Sequence, residues 1–196
     1  MEKDTLILLS GGLDSAVLLA SERHRIGLAL FVEYGQPAER EECAAAQKLV
    51  RLPVMREQAD IPLHYLRLSL SGMDAMGASA GSGARVVPAR NLILLSHAVG
   101  IALTRGLTRV VYGATAGDHG GYADCRPAFV RALGDCTRLL GVTIEAPLSG
   151  LDKAAVVGLG KRLGASMALS WSCYSPRGGR PCGVCNACIE RDAAIR

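Results

Sequence analysis

Thr5-Leu6-Ile7-Leu8-Leu9-Ser10-Gly11-Gly12-Leu13-Asp14-Ser15 passes from a short apolar run into a paired-glycine turn and then into a helical pattern. The run reads as a buried strand stopped by the turn, and a helix is expected from about Ser15 to Arg23. Paired glycines let a backbone curl around an oxyanion without obstruction from Cβ atoms. The N–H groups of such a loop, and of the helix that follows, point at whatever anion it holds. Leu9, Ser10, Gly11, Gly12, Leu13, Asp14 and Ser15 are therefore the candidate phosphate cradle, with the hydroxyls of Ser10 and Ser15 as added donors. No Gly-Lys-Ser/Thr follows, so this is not a Walker loop. The alternative is an ordinary Gly-Gly turn with a polar helix cap.

Outward from this stretch the pattern alternates. A second strand is expected from Ile26 to Val32, and Pro37 then opens a helix that runs to about Arg51. Glu39, Glu41 and Glu42 suit the positive end of that helix. His64–Leu70 reads as a third strand, and the Ser/Gly/Ala stretch 71–84 as a mobile loop. A helix over Asn91–Thr104 carries apolar positions 92, 95, 99, 102 and 103. Arg109–Tyr112 is a fourth strand, 113–124 a glycine-rich loop, and Pro127–Leu140 a helix. Thr143–Glu145 is a fifth strand, and Asp152 caps a helix reaching Leu163. Continuous apolar strands alternating with helices indicate an α/β fold, a doubly wound parallel five-stranded sheet covered on both faces. With no interdomain linker, residues 1–196 read as one domain, with the Cys-rich segment 171–196 as an appendage.

Composition narrows the function. Apolar residues make up 49% and charged residues 20%, as in a globular protein. The net charge of +4 suits an anionic small molecule, while 4% aromatic content is low for a protein that stacks bases along a groove. No apolar run approaches the ~20 residues of a membrane span, and the N-terminus lacks a signal pattern, so a cytoplasmic location without a membrane partner is expected. The seven cysteines then read as thiols and metal ligands rather than as a disulfide framework.

Cys173, Cys182, Cys185 and Cys188 supply two overlapping C-x2-C pairs and one more distant sulfur. Four thiolates complete a closed tetrahedral shell, which points to structural zinc. A redox C-x2-C and an iron–sulfur cluster are the alternatives. Cys43 and Cys136 fall inside expected helices, and Cys125 lies in a loop where a nucleophile is conceivable.

Ser10–Ser15 resembles the SGGxDS signature of the PP-loop ATP pyrophosphatases, and the whole chain resembles the 7-cyano-7-deazaguanine synthase (QueC) family of queuosine biosynthesis. Besides the loop and the cysteines, the likeness rests on Tyr34-Gly35-Gln36, Val87-Pro88-Ala89-Arg90-Asn91, Gly121-Tyr122-Ala123-Asp124-Cys125-Arg126, the Pro147–Lys153 run and Trp171-Ser172-Cys173-Tyr174. The resemblance implies an adenine-nucleotide α-hydrolase-like fold and an ATP-dependent carbon–nitrogen ligase. Such an enzyme adenylates 7-carboxy-7-deazaguanine and uses ammonia to form the nitrile through an amide. It implies ATP, Mg2+ and structural Zn2+, and a homodimer. Asp14 would place Mg2+ or pyrophosphate, and Arg90 and Lys153 would stabilise phosphate charge, the bland reading of both cations being solvated surface. Asn91, Asp118, Tyr122 and Asp124 would hold the heterocycle or Mg2+, although either aspartate could merely cap the helix starting near Pro127.

The chain departs from the family pattern at Ala89, where a glycine is usual, and at Ala114–His119, which keeps only Asp118 of an acidic run. It also departs at Ser71–Val86, a shorter and blander loop. All three departures lie where a substrate would be held. They leave room for a relative that couples the activated acid to an amine of a protein or peptide. A tRNA-modifying PP-loop enzyme needs a basic extension that this chain lacks, and the composition counts against a zinc-knuckle nucleic-acid module.

Overall fold

A computed structural model describes residues 3–51, 61–69 and 87–195. Strands Thr5–Leu8 (β1), Ile26–Glu33 (β2), Leu63–Arg67 (β3), Arg109–Val111 (β4) and Thr143–Glu145 (β5) alternate with helices. The helices are Leu13–Glu22 (α1), Glu39–Arg51 (α2), Arg90–Thr104 (α3), Pro127–Arg138 (α4), Lys153–Arg162 (α5) and Asn186–Ile195 (α6). The expected stretch 71–84, like the family departure at Ser71–Val86, falls outside the described residues.

All strand pairs are parallel and the order is β3-β2-β1-β4-β5. Alternate residues serve opposite faces. Ile7, Phe31 and Val111 pack with α1, α2 and α5, whereas Leu6, Leu30 and Val110 pack with α3 and α4. This is the doubly wound α/β sheet that the alternation of strands and helices implied. Near its start β2 carries one extra residue, because Thr5 pairs with Ile26 but Leu6 with Leu28. Gly27 occupies the irregularity, and a Cβ there would stand 2.8 Å from the Lys3 carbonyl. The bulge lets Ile26 join the same face as Phe31 although their numbers differ in parity.

Several boundaries differ from expectation. The third strand ends at Arg67, the helix after β4 ends at Arg138, and α6 was not foreseen. In α3 the buried stripe is Leu95, Ala98, Val99 and Ala102, while Leu92 and Leu103 are exposed. Small Ala98 and Ala102 face the sheet, where the helix approaches closely, and the expected stripe overweighted leucine.

The chain runs outward from β1 in one direction through β2 and β3, and in the other through β4 and β5. The order therefore reverses between β1 and β4. In open α/β sheets ligands bind at such a reversal, outside the carboxyl ends of the strands. The Ser10–Ser15 loop leaves β1 there, and the Gly113–Asp118 loop leaves β4 beside it. A Cβ on Gly113 would stand 3.5 Å from Ser15 N.

Candidate active site

Gly11 has φ +77°, and a Cβ on it would stand 2.3 Å from the Glu42 carbonyl oxygen. Both the conformation and the approach of α2 demand glycine. Gly12 is the N-cap of α1 without a side-chain cap bond, so the helix's first N–H groups are left to other acceptors. Ser10 Oγ accepts from Gly12 N at 3.3 Å and donates to Ser15 Oγ at 3.3 Å, and Ser15 Oγ donates to the Gly12 carbonyl at 2.9 Å. The loop is thus ordered by its own hydroxyls.

Lys153, the first residue of α5, reaches both carboxylate oxygens of Asp14, at 2.8 and 2.7 Å. Asp152 caps α5 by accepting from Ala155 N at 2.8 Å, which fixes where Lys153 leaves the helix. Burial pushes the Asp14 carboxyl above the usual carboxylate range, Lys153 opposes the shift, and Asp118 adds to it. Asp118 is therefore within electrostatic reach of Asp14. One Asp118 oxygen accepts from Thr115 N and Thr115 Oγ1, both at 2.8 Å, in a capping box that shapes the loop after β4.

Arg90 is half-buried, not a solvated surface cation. Its Nη1 donates to Tyr34 Oη at 3.1 Å, and its Cζ lies 5.8 Å from the Tyr34 ring centroid. Gln36 secures this corner, accepting from Tyr34 N at 2.9 Å and donating to the Val32 carbonyl and to Glu42 Oε2. Burial pushes the Glu42 carboxyl up to about 7. The Tyr-Gly-Gln triplet announced that something happens after β2. Nothing in the sequence singled out Glu42 from the other helix-opening glutamates.

Asp124 caps a different helix from the one expected. Its Oδ2 accepts from Asn91 N at 2.8 Å, in the first turn of α3, while the N-cap of α4 is Arg126 and makes no side-chain cap bond. The two capping alternatives near Pro127 are thus overturned, because one Asp118 oxygen holds Thr115 and one Asp124 oxygen holds α3. Asn91 Nδ2 donates to Cys125 Sγ at 3.1 Å. Cys125 is buried and its thiol is pushed up to about 12, so the conceivable nucleophile is a protonated packing group. Tyr122 is exposed, and so is Tyr174, whose hydroxyl feels Tyr122, Arg90 and Asp118. Tyr174 was quoted only for the cysteine run, and the fold brings it to the tyrosine–arginine cluster.

Cys173, Cys182, Cys185 and Cys188 bring their sulfurs within 4.8 Å of one another. Cys182 N donates to Cys173 Sγ at 3.2 Å, and Cys185 N to Cys182 Sγ at 3.4 Å. N–H groups aimed at sulfur stabilise thiolates, and those of Val184 and Cys185 pull the Cys182 thiol down to about 6. This donor set fits a metal ion with no open coordination position. A cleft of about 680 Å³ between α4, β4 and β5 lies apart from these motifs. Among its charges, Arg109 pairs with Glu22 and Glu145, and Arg138 with Asp135.

Residues 4–196 match the family model described as queuosine biosynthesis protein QueC. A 7-cyano-7-deazaguanine synthase of Porphyromonas gingivalis is 39% identical over 208 residues, spanning 99% of this chain and 93% of that protein. One from Stutzerimonas stutzeri is 38% identical over 212 residues, spanning 99% and 94%. Among solved structures, an NMN synthetase from Francisella tularensis superposes with a TM-score of 0.55 at 21% identity, covering 94% of this chain and 70% of that one. That likeness concerns the fold.

Proposed function

The chain belongs to the QueC family of queuosine biosynthesis proteins, and from that premise we propose that it is an ATP-dependent ligase converting 7-carboxy-7-deazaguanine and ammonia to 7-cyano-7-deazaguanine. The observation that carries the reading is the Asp14–Lys153 pair beside the glycine cradle, where the sheet order reverses. It is a place built for a phosphate chain and for the charge released when that chain breaks.

A carboxylate is a poor electrophile, so its oxygen first attacks the α-phosphorus of ATP and pyrophosphate leaves. Ammonia then attacks the acyl carbon, AMP departs with that oxygen, and a proton is lost to give the amide. The amide oxygen attacks a second ATP in the same way. Loss of AMP and the remaining N–H protons leaves the nitrile.

Backbone N–H groups of Ser10–Ser15 hold the phosphates, the Leu9 N–H being given to the Leu30 carbonyl, and Lys153 and Arg90 balance the charge that develops as pyrophosphate leaves. Asp14 orients Lys153. With Asp118 near, it also offers oxygens to Mg2+, which when bound would neutralise the phosphates. Asn91, Asp118, Tyr122 and Asp124 frame the heterocycle, Tyr122 with an aromatic face. The four cysteines hold Zn2+ as a structural ion. The test incubates the enzyme with ATP, ammonium and the acid, and identifies products by mass spectrometry. The nitrile with AMP and pyrophosphate is expected. ADP with phosphate would sink the activation chemistry, and an amide bonded to a protein amine would replace ammonia as the nitrogen donor.

A further inference from the structure

The segment from Met167 to Cys173 stands between the cysteine-rich tail and the glycine loop. On the loop side, Trp171 N donates to the Gly11 carbonyl at 2.8 Å. The Trp171 carbonyl oxygen lies 3.6 Å from the place a Gly12 Cβ would take. On the tail side, Arg191 of α6 spans the same segment. Its Nη1 donates to Ser170 Oγ at 2.8 Å and Ser172 Oγ at 3.1 Å, and its Nη2 to the Met167 carbonyl at 2.9 Å. These acceptors are neutral, so the three bonds hold backbone and hydroxyls. The planar guanidinium fork suits three bonds in fixed directions. Further along, Trp171 Nε1 donates to the Cys173 carbonyl at 2.8 Å, which joins the strut to the first of the four clustered cysteines.

We propose that Arg191 is a positioning residue for the glycine loop, acting through Ser170, Ser172 and Trp171 to fix the carbonyl of Gly11 and the approach to Gly12. The effect on nucleotide affinity rests on the reading of that loop as the ATP site, whereas the effect on the loop itself does not. Turning Gly11's carbonyl to Trp171 keeps an acceptor from facing the phosphates and leaves the loop's donors to face them. Without the strut this carbonyl is free to rotate inward, where it repels an anion.

Arg191→Met and Arg191→Lys provide the test, with hydrogen exchange of the 9–16 amides, metal content and affinity for a non-hydrolysable ATP analogue as readouts. In Arg191→Met the metal should stay and the 9–16 amides should exchange faster. Analogue binding should weaken by roughly tenfold, within the range of coupling between linked sites. The weakening should appear in the KM for ATP more than in kcat, and Arg191→Lys should recover part of it. Wild-type exchange together with wild-type affinity in Arg191→Met would overturn the proposal. Should that variant fail to fold, Ser172→Ala removes one bond, and unchanged exchange at 9–16 then overturns it equally. If the wild-type protein binds no analogue, the ATP reading falls and the exchange data alone decide the role of Arg191.

Discussion

The ammonium of Lys153 faces both oxygens of the Asp14 carboxylate, at 2.8 and 2.7 Å, across the gap between the first turns of α5 and α1. In the free protein each neutralises the other, so in the proposed reaction an arriving phosphate chain would compete with Asp14 for Lys153, and an arriving divalent cation would compete with Lys153 for Asp14. A pair that binding must open is pre-set for charge redistribution.

Lys153→Met should therefore lower pyrophosphate release by about 10²-fold or more, as for loss of one preorganised charge donor. The fold should lose no more than about 1 kcal/mol, because both partners are partly exposed, at 30% and 24%. Pyrophosphate release and chemical denaturation measure the two effects. Normal turnover by the variant would remove Lys153 from the chemistry.

Purified protein should contain about one zinc per chain, and Cys185→Ser should lose it. Since metal binding at a closed thiolate site is folding energy, the variant should also melt markedly earlier. Elemental analysis and calorimetry check this. Iron in the wild-type protein, or a metal-free chain of equal stability, contradicts it.

Glu42 gives a pH signature. Burial raises its carboxyl from 4.5 to about 7. Its contribution to stability is thus full below the unfolded value and lost as pH rises through 7. Glu42→Gln keeps an acceptor for Gln36 but cannot ionise. Relative to wild type it should gain stability between pH 5 and pH 8 by about 2 kcal/mol, less than the full shift because the group is partly exposed. Denaturation at the two pH values tests the sign, and an equal difference at both would show that Glu42 does not titrate as described.

Ala89 sits at the N-cap of α3 with φ +54°, and it is the sole non-glycine with positive φ among the described residues. Left-handed backbone strains a residue with a Cβ by roughly 1–2 kcal/mol, and glycine loses part of that relief to chain entropy. Ala89→Gly should stabilise the protein by about 0.5–1 kcal/mol. A lower melting temperature in calorimetry would mean that the Ala89 methyl makes compensating contacts.

Local chemistry explains what could be read in advance. β1 with its glycine turn, the Asp152 cap and the C-x2-C spacing are each written within a few residues, so the alternation and both site motifs were legible. Arg90 was picked out by resemblance, but its partner Tyr34 lies on another strand end, and only folding joins them. Asp124 looked like a cap for the nearest helix in sequence, whereas the sheet brings it to α3. Trp171 stood out only as part of the run that opens the cysteine segment, and its bond to Gly11 carried no signal, because a backbone N–H meeting a distant carbonyl depends on no side-chain type. Arg191 carried none because its acceptors are neutral groups far from it in sequence. Leu92 and Leu103 misled because their hydrophobicity puts them in the stripe, whereas the helix comes close to the sheet through Ala102 and through Ala98, which the stripe omits.

The hydrogen bond from Trp171 to Gly11 also orders events in time. A ribosome makes residue 11 long before residue 171, and at ~5–20 residues per second the delay is on the order of ten seconds. β1, α1 and β2 can pair within that interval, but the Gly11 carbonyl has no Trp171 to meet. The glycine loop of a nascent chain consequently lacks this bond until residue 171 has been made, so the segment after α5, rather than the sheet, gives the loop its last anchor.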